Sequence, residues 1–192
     1  MEFAMTIRSL AAAASLVAAC LTSTALPCIG GEVARNPTAP FVVANVQGNA
    51  PDFTGINTWF NSAPLNMKDL RGKVVLVDFW TYGCVNCVNT LPHVTELYAK
   101  YKDRGLVVVG VHTPEFPFER SAANVQAALK RHGITYPVGQ DNDSQTWNAY
   151  RNQYWPAQYI VDQTGKIVFQ HDGEGQYEQI DRTIARLLNA NS

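Results

Sequence analysis

Two cysteines separated by two residues, Cys84 and Cys87, stand at the end of the apolar run KVVLVDFW. Disulfide exchange needs an attacking thiolate and a second thiol within bonding reach. Cys-x-x-Cys spacing puts both sulfurs on one helical turn. A free cysteine titrates near ~8.5, so its surroundings decide its reactivity. If a helix begins at Cys84, unpaired backbone N–H groups and the helix dipole favour negative charge on that sulfur. Cys87, one turn later, is expected to be better buried and to attack the mixed disulfide that Cys84 forms. Asp78, six residues before Cys84, is the one acid within the run. A buried, unpaired carboxylate is costly to ionise, so its pKa rises. A raised pKa suits a general acid–base near neutral pH, and Asp78 is expected to shuttle a proton for Cys87. The plainer reading pairs Asp78 with a cation or leaves it facing solvent at a strand end. Trp155-Pro156 opens a second apolar run, AQYIV. X-Pro bonds take the cis form at modest cost, and a cis Pro156 there would face the cysteines; the alternative is an ordinary strand-entry proline.

Other uses of the pair compete. Zinc commonly needs four ligands, and His93, His112, His132 and His171 are scattered without ligand spacing. Cu(I) could bind both thiolates and a histidine, but nothing selects which histidine. A static structural disulfide is a third use. Against all three, the pair begins a helix after a buried strand, where thiol reactivity is tuned. No metal or other cofactor is expected.

These residues must be positioned by regular elements. KVVLVDFW has the length and β-branched content of a strand covered on both faces. A helix follows through about Tyr101, with Leu91, Val94, Tyr98 and Tyr101 at helical spacing. GLVVVGVH is a second buried strand. FPFERSAANVQAALKRHG predicts a helix with Pro117 in its first turn, one face of Phe118, Ala122, Val125 and Leu129, and Gly133 at its end. AQYIVDQTGKIVFQH predicts two strands around the turn DQTG, and GQYEQIDRTIARLLNA a last helix with Tyr177, Ile180, Ile184 and Leu187 on one face. Upstream, INTWFNSAPLNMKDLRG predicts a β-hairpin preceding the main fold. Early βαβ units give a parallel core and the late hairpin adds antiparallel strands. The fold class is therefore α/β, with a central mixed β-sheet flanked by helices and an N-terminal β-hairpin extension, an order that resembles the thioredoxin arrangement.

The chain has 192 residues, 46% of them hydrophobic, which suits one domain plus a leader. A formal net charge of −1 gives no sign of a nucleic-acid partner. Arg8 is followed by an uncharged Ala-rich run, the form of a secretory signal over 1–25 with Ser23 and Ala25 before the cut. LVAAC also resembles a lipoprotein box, with Cys20 as a lipid anchor and the only membrane attachment. Residues 26–50, containing Cys28, read as a linker, and 51–192 as the folded domain. The expected location is exported, periplasmic or cell-envelope, a compartment that permits disulfides.

VDFWTYGCVNC resembles the thioredoxin signature, with the same acid-to-cysteine spacing; Pro92 matches the helix-kinking proline and Pro156 the cis-proline of that superfamily. FWTYGCVNCVNTLPHV, VGVHTPEFPFE, YWPAQYIVDQTGKI and GEGQYEQ together are most similar to the TlpA-like exported group, above all the thioredoxin-like domain of DipZ-type membrane thiol reductases. The resemblance covers roughly residues 50 to 190. It implies thiol–disulfide exchange on exported proteins, with Cys84 as nucleophile, Cys87 as resolving cysteine, and protein thiols or disulfides as substrates. DipZ-type proteins carry a membrane domain, so a membrane electron-donor protein is the implied partner. Many TlpA-like reductases place an acid six residues after the first cysteine; here Thr90 stands there. The lysine that partners the buried acid in thioredoxin has no counterpart in GLVVVGVH.

The intervening Val85-Asn86 carries no cation to stabilise a thiolate, which tilts the direction towards reductant or isomerase, with reductant preferred. Trp80, Tyr82, Val85, Asn86 and Trp155 are candidate substrate-groove residues, the aromatics being as well suited to the core. His112 reads as a strand-end histidine, Glu115 and Glu119 as solvated loop acids, and Glu174 as a helix-start acid. Two rival functions remain: a peroxiredoxin-like peroxidase, since Thr81 and Cys84 form a Thr-x-x-Cys, and a non-catalytic tethered binding domain with a static disulfide.

Overall fold

A computed structural model describes residues 48–190. The leader, the linker up to residue 47, Cys20 and Cys28 lie outside the described residues. The core of the fold is strand β2 (Val74–Trp80), buried at every position. It pairs in parallel with β3 (Leu106–His112) and antiparallel with β5 (Ala157–Val161). Outside β3 lies β4 (Val138–Gln140), parallel to it, and then β1 (Thr58–Phe60), antiparallel to β4; outside β5 lies β6 (Ile167–Asp172), antiparallel. Helices α1 (Val85–Tyr101), α2 (Ala122–Arg131), α3 (Gln145–Ala149) and α4 (Tyr177–Asn189) complete the chain. The sheet is mixed and flanked by helices, as the run order implies.

Strand alternation divides β2 between two apolar layers. Val74, Leu76 and Trp80 pack with Cys87, Leu91, Val94 and Leu97 of α1 and with Ile180 and Ile184 of α4. Val75, Val77 and Phe79 pack with Met67, Leu70, Tyr150 and Tyr159 on the other side. Asp78 shares parity with Leu76 and Trp80, so the same alternation turns it towards the α1 layer. Its neighbour across the ladder in β3 is Gly110. A Cβ at Gly110 would approach Trp80 Nε1 to 3.0 Å and the Val138 side chain to 3.1 Å, so a larger residue would crowd the layer beneath the acid. Pro92 lies inside α1, where it removes one i→i−4 hydrogen bond.

Three expectations are corrected. The N-terminal β-hairpin does not form: β1 has no hairpin partner and pairs with β4 instead, while residues 61–73 form turns without a strand. The segment from Pro117 is two pieces, a 3₁₀ turn (Pro117–Arg120) and then α2, capped by Ser121 whose side chain accepts from Asn124 N–H. The break at Ser121 takes Phe118 and Ala122 off the buried face; Val125, Ala128 and Leu129 fill it. Elements β4 and α3 were not anticipated. The short α3 is held by Asp141, a fully buried carboxylate accepting from the amides of Gln145 (2.8 Å), Thr146 (3.3 Å) and Trp147 (2.8 Å).

That carboxylate also fixes Trp147, whose ring lies 4.1 Å from that of Trp155. Asp141→Ala strips a cap from α3 and leaves its amides unpaired, so a stability loss of about 1–3 kcal/mol is expected in denaturant unfolding, together with altered tryptophan fluorescence. An unchanged unfolding midpoint would count against this role.

Candidate active site

The strand β2 and the turn Thr81-Tyr82-Gly83 deliver Cys84 to the N-cap of α1. Cys84 has φ −86° and ψ 118°, non-helical backbone as an N-cap requires, and its sulfur accepts from the Cys87 N–H at 3.3 Å. This is the donor a thiolate needs, supplied by the first turn of a helix. Both cysteines are free thiols. Cys84 is half-buried and Cys87 fully buried. The Trp155 carbonyl lies 3.9 Å from the Cys84 sulfur, in reach of its S–H. The Trp155–Pro156 bond is cis.

Burial pushes the Cys87 thiol upwards, and the neighbouring Cys84 and the Asp78 charge push it further; a hydrogen bond from the Thr81 backbone opposes this. Asp78 is 1% exposed. Burial raises its carboxyl to about 7, only partly offset by a hydrogen bond that Gln158 Nε2 donates to Oδ1 at 3.1 Å. No ion pair to Asp78 is present among the described residues. Asp78 and Cys87 are thus both raised by burial on the α1 side of β2, and the Asp78 charge reaches the thiol.

The remaining sequence candidates separate. Val85 is 71% exposed and Asn86 is exposed beside it. Tyr82 and Trp155 are half-buried at the rim; Trp155 Nε1 donates to the Thr113 carbonyl at 3.0 Å. Trp80 is fully buried within the α1 layer and lines no surface groove, a correction. It follows from β2 being covered on both faces through its last residue. Thr90, at the position where an acid was sought, is buried and donates to the Asn86 carbonyl at 2.9 Å. Glu174 accepts from Asn89 Nδ2 at 3.3 Å and stands before α4, outside its first turn.

His112 ends β3, as its reading as a strand-end histidine expects, while Glu119 departs from its reading. His112 is fully buried, with Nε2 3.2 Å from Thr81 Oγ1 and its ring stacked on Tyr82. Burial lowers it to about 4. Glu119, expected in solvent, has no exposed surface; backbone amides of Gly83, Glu115 and Phe116 converge on its carboxylate. Gln158 was also missed. Its only sequence signal is a polar residue in the apolar run AQYIV. Among the described residues no cluster of three or more His, Cys, Asp or Glu could hold a metal ion, and no helix is long and apolar enough to cross a membrane.

Comparison with known proteins agrees with this geometry. Residues 46–170 match the model of the AhpC/TSA family. The chain is 48% identical over 145 residues to protein DipZ of Mycobacterium tuberculosis, covering 74% of this chain but 21% of that protein. It therefore spans about a fifth of the DipZ length. It is 32% identical over 139 residues to the thiol-disulfide oxidoreductase YkuV of Bacillus subtilis, covering 72% of this chain and 93% of YkuV. Among solved structures it resembles the thioredoxin-like superfamily protein SPOA0173, with a TM-score of 0.68 and 28% identity over 73% of this chain and 96% of that one. The fold is thioredoxin-like.

The Asp78 carboxyl has a definite consequence for stability. Its folded pKa of about 7 lies above the ordinary 3.8. Between these values the folded state holds a proton that the unfolded state has lost, so stability falls as pH rises through this window and stays lower above it. Asp78→Asn cannot ionise. It is expected to be more stable than the parent by a few kcal/mol at about pH 8, with the advantage fading towards about pH 4. Urea unfolding at both pH values checks this; a variant less stable at the higher pH contradicts it.

Proposed function

The chain belongs to the AhpC/TSA family, and from that membership we propose that it is a thiol–disulfide oxidoreductase that reduces disulfides in exported proteins through the Cys84–Cys87 dithiol. The observation that carries this is the division of the pair: Cys84, half-exposed, takes an N–H from its own helix at 3.3 Å, while Cys87 is buried. The relatedness to YkuV supports the reaction class.

In the proposed cycle the Cys84 thiolate attacks one sulfur of a substrate disulfide. A mixed disulfide forms and the other substrate sulfur leaves as a thiolate that takes a proton. Cys87 then gives its proton to Asp78 and attacks Cys84 Sγ. The second substrate sulfur leaves and is protonated in turn, so the substrate gains two electrons and two protons and the enzyme is left as the Cys84–Cys87 disulfide. Pro156 acts as the cis-proline beside the cysteines, where the Trp155 carbonyl abuts Cys84. Tyr82, Val85, Asn86 and Trp155 border the substrate. The uncharged Val85-Asn86 supports the reductant direction. A membrane protein then returns electrons to the pair, and the leader over 1–25, or a lipid anchor at Cys20, places the domain outside the cytoplasm.

The peroxidase reading is less well supported: the Thr81 hydroxyl of its Thr-x-x-Cys is engaged with His112 Nε2, and Cys87 offers a resolving thiol one turn away.

Reduced protein should accelerate insulin reduction by dithiothreitol, and Cys84→Ser should abolish the acceleration. Cys87→Ser should accumulate a mixed disulfide visible on non-reducing gels, because the resolving step is gone. Undiminished activity in Cys84→Ser, or a Cys87→Ser chain that traps nothing, contradicts the assignment.

A further inference from the structure

The buried carboxylate of Glu119 has no part in the cycle above, yet it touches the turn that carries Cys84. Its Oε1 accepts from the Gly83 amide at 2.9 Å, 36 residues away in sequence. Its Oε2 accepts from Glu115 at 2.7 Å and from Phe116 at 2.9 Å. Three N–H donors on two oxygens is an arrangement that suits an anion. Gly83 is fitted to it by the absence of a side chain, since a Cβ there would lie 2.4 Å from Glu119 Oε1. Neighbouring contacts join the same two segments: Tyr82 OH donates to the Phe118 carbonyl at 2.8 Å, and the Thr113 amide donates to the Trp80 carbonyl at 3.1 Å.

We propose that Glu119 is a positioning residue that fixes the Gly83-Cys84 turn, and that its buried negative charge, held on the amide of the residue before the nucleophile, makes the Cys84–Cys87 couple more reducing. The physical reason is electrostatic. Reducing the disulfide adds two electrons and two protons; ionisation of the Cys84 thiol then leaves a thiolate at the helix N-terminus. A fixed anion nearby in a weakly polar surrounding opposes that second charge and so disfavours the reduced form. The inference rests on the proposed dithiol chemistry and adds what tunes it.

The test is the equilibrium of the pair in glutathione buffers, where disulfide plus two glutathione thiols gives dithiol plus glutathione disulfide. Glu119→Gln is expected to shift this equilibrium about tenfold towards the dithiol, close to ~30 mV more oxidising. Glu119→Asp keeps the charge and should stay within about twofold of the parent. A purely structural role would lower the melting temperature without moving the equilibrium. A Gln variant within about twofold of the parent therefore overturns the proposal. Should the Gln variant not fold, Gly83→Ala displaces the carboxylate from the turn and is expected to shift the equilibrium the same way; no shift overturns the proposal too. In the parent protein the Gly83 amide should exchange slowly with deuterium, and rapid exchange counts equally against it. If the parent pair forms no reversible disulfide at all, the proposed function fails first; a reversible couple that ignores Glu119 removes only this inference.

Discussion

A side chain carried by the middle strand of a sheet covered on both faces has no route to water. Asp78 is in that position on β2, with β3 on one side and β5 on the other. Its parity aims it at the layer containing Cys87. Desolvation dominates its behaviour, because Gln158 offers one hydrogen bond and no opposite charge. The proposed proton transfer depends on this. A carboxylate stabilised by a cation would stay ionised and accept protons poorly near neutrality. One held up by burial is suited to the role the proposed cycle gives it, taking a proton from Cys87 and releasing it in the same pH range.

The same burial divides the two cysteines. Cys84 stands where the sheet ends and the helix begins, so it meets both solvent and the first free amides of α1. Cys87 is one turn further along and inside the core. Thiols with the same spacing but equal exposure would have no built-in order of attack. Here one is accessible and served by an N–H donor, and in the proposed cycle the other becomes nucleophilic only when its proton has somewhere to go. The segment from Thr113 to Glu119 then braces the Cys84 turn from the side through Gly83 and Tyr82.

Much of this was legible in the sequence because it is written in local patterns. The β-branched run of β2, the helical spacing of Leu91 and Val94, the turn DQTG between β5 and β6, and the acid six residues before a Cys-x-x-Cys each carry their meaning within a few residues. What was not legible is tertiary. Strand β4 is the three residues VGQ, too short for a period, and β1 finds its partner 78 to 82 residues away. Helix α3 exists because Asp141 collects its amides, which no propensity reports. Glu119 reads as a loop acid at the end of the Pro- and Phe-rich stretch TPEFPFE. Only the folded chain shows three amides meeting at its oxygens. Trp80 suited a groove and the core equally in the sequence, and only the folded sheet, covering β2 to its last residue, decides for the core.

The most direct measurement is the titration of the Asp78 carboxyl itself, by ¹³C NMR on the reduced protein with Asp78→Asn to assign the signal. The account predicts a midpoint close to 7. A midpoint in the ordinary carboxylate range, near about 4, would show that Asp78 is already ionised throughout the working range and is not the proton acceptor for Cys87.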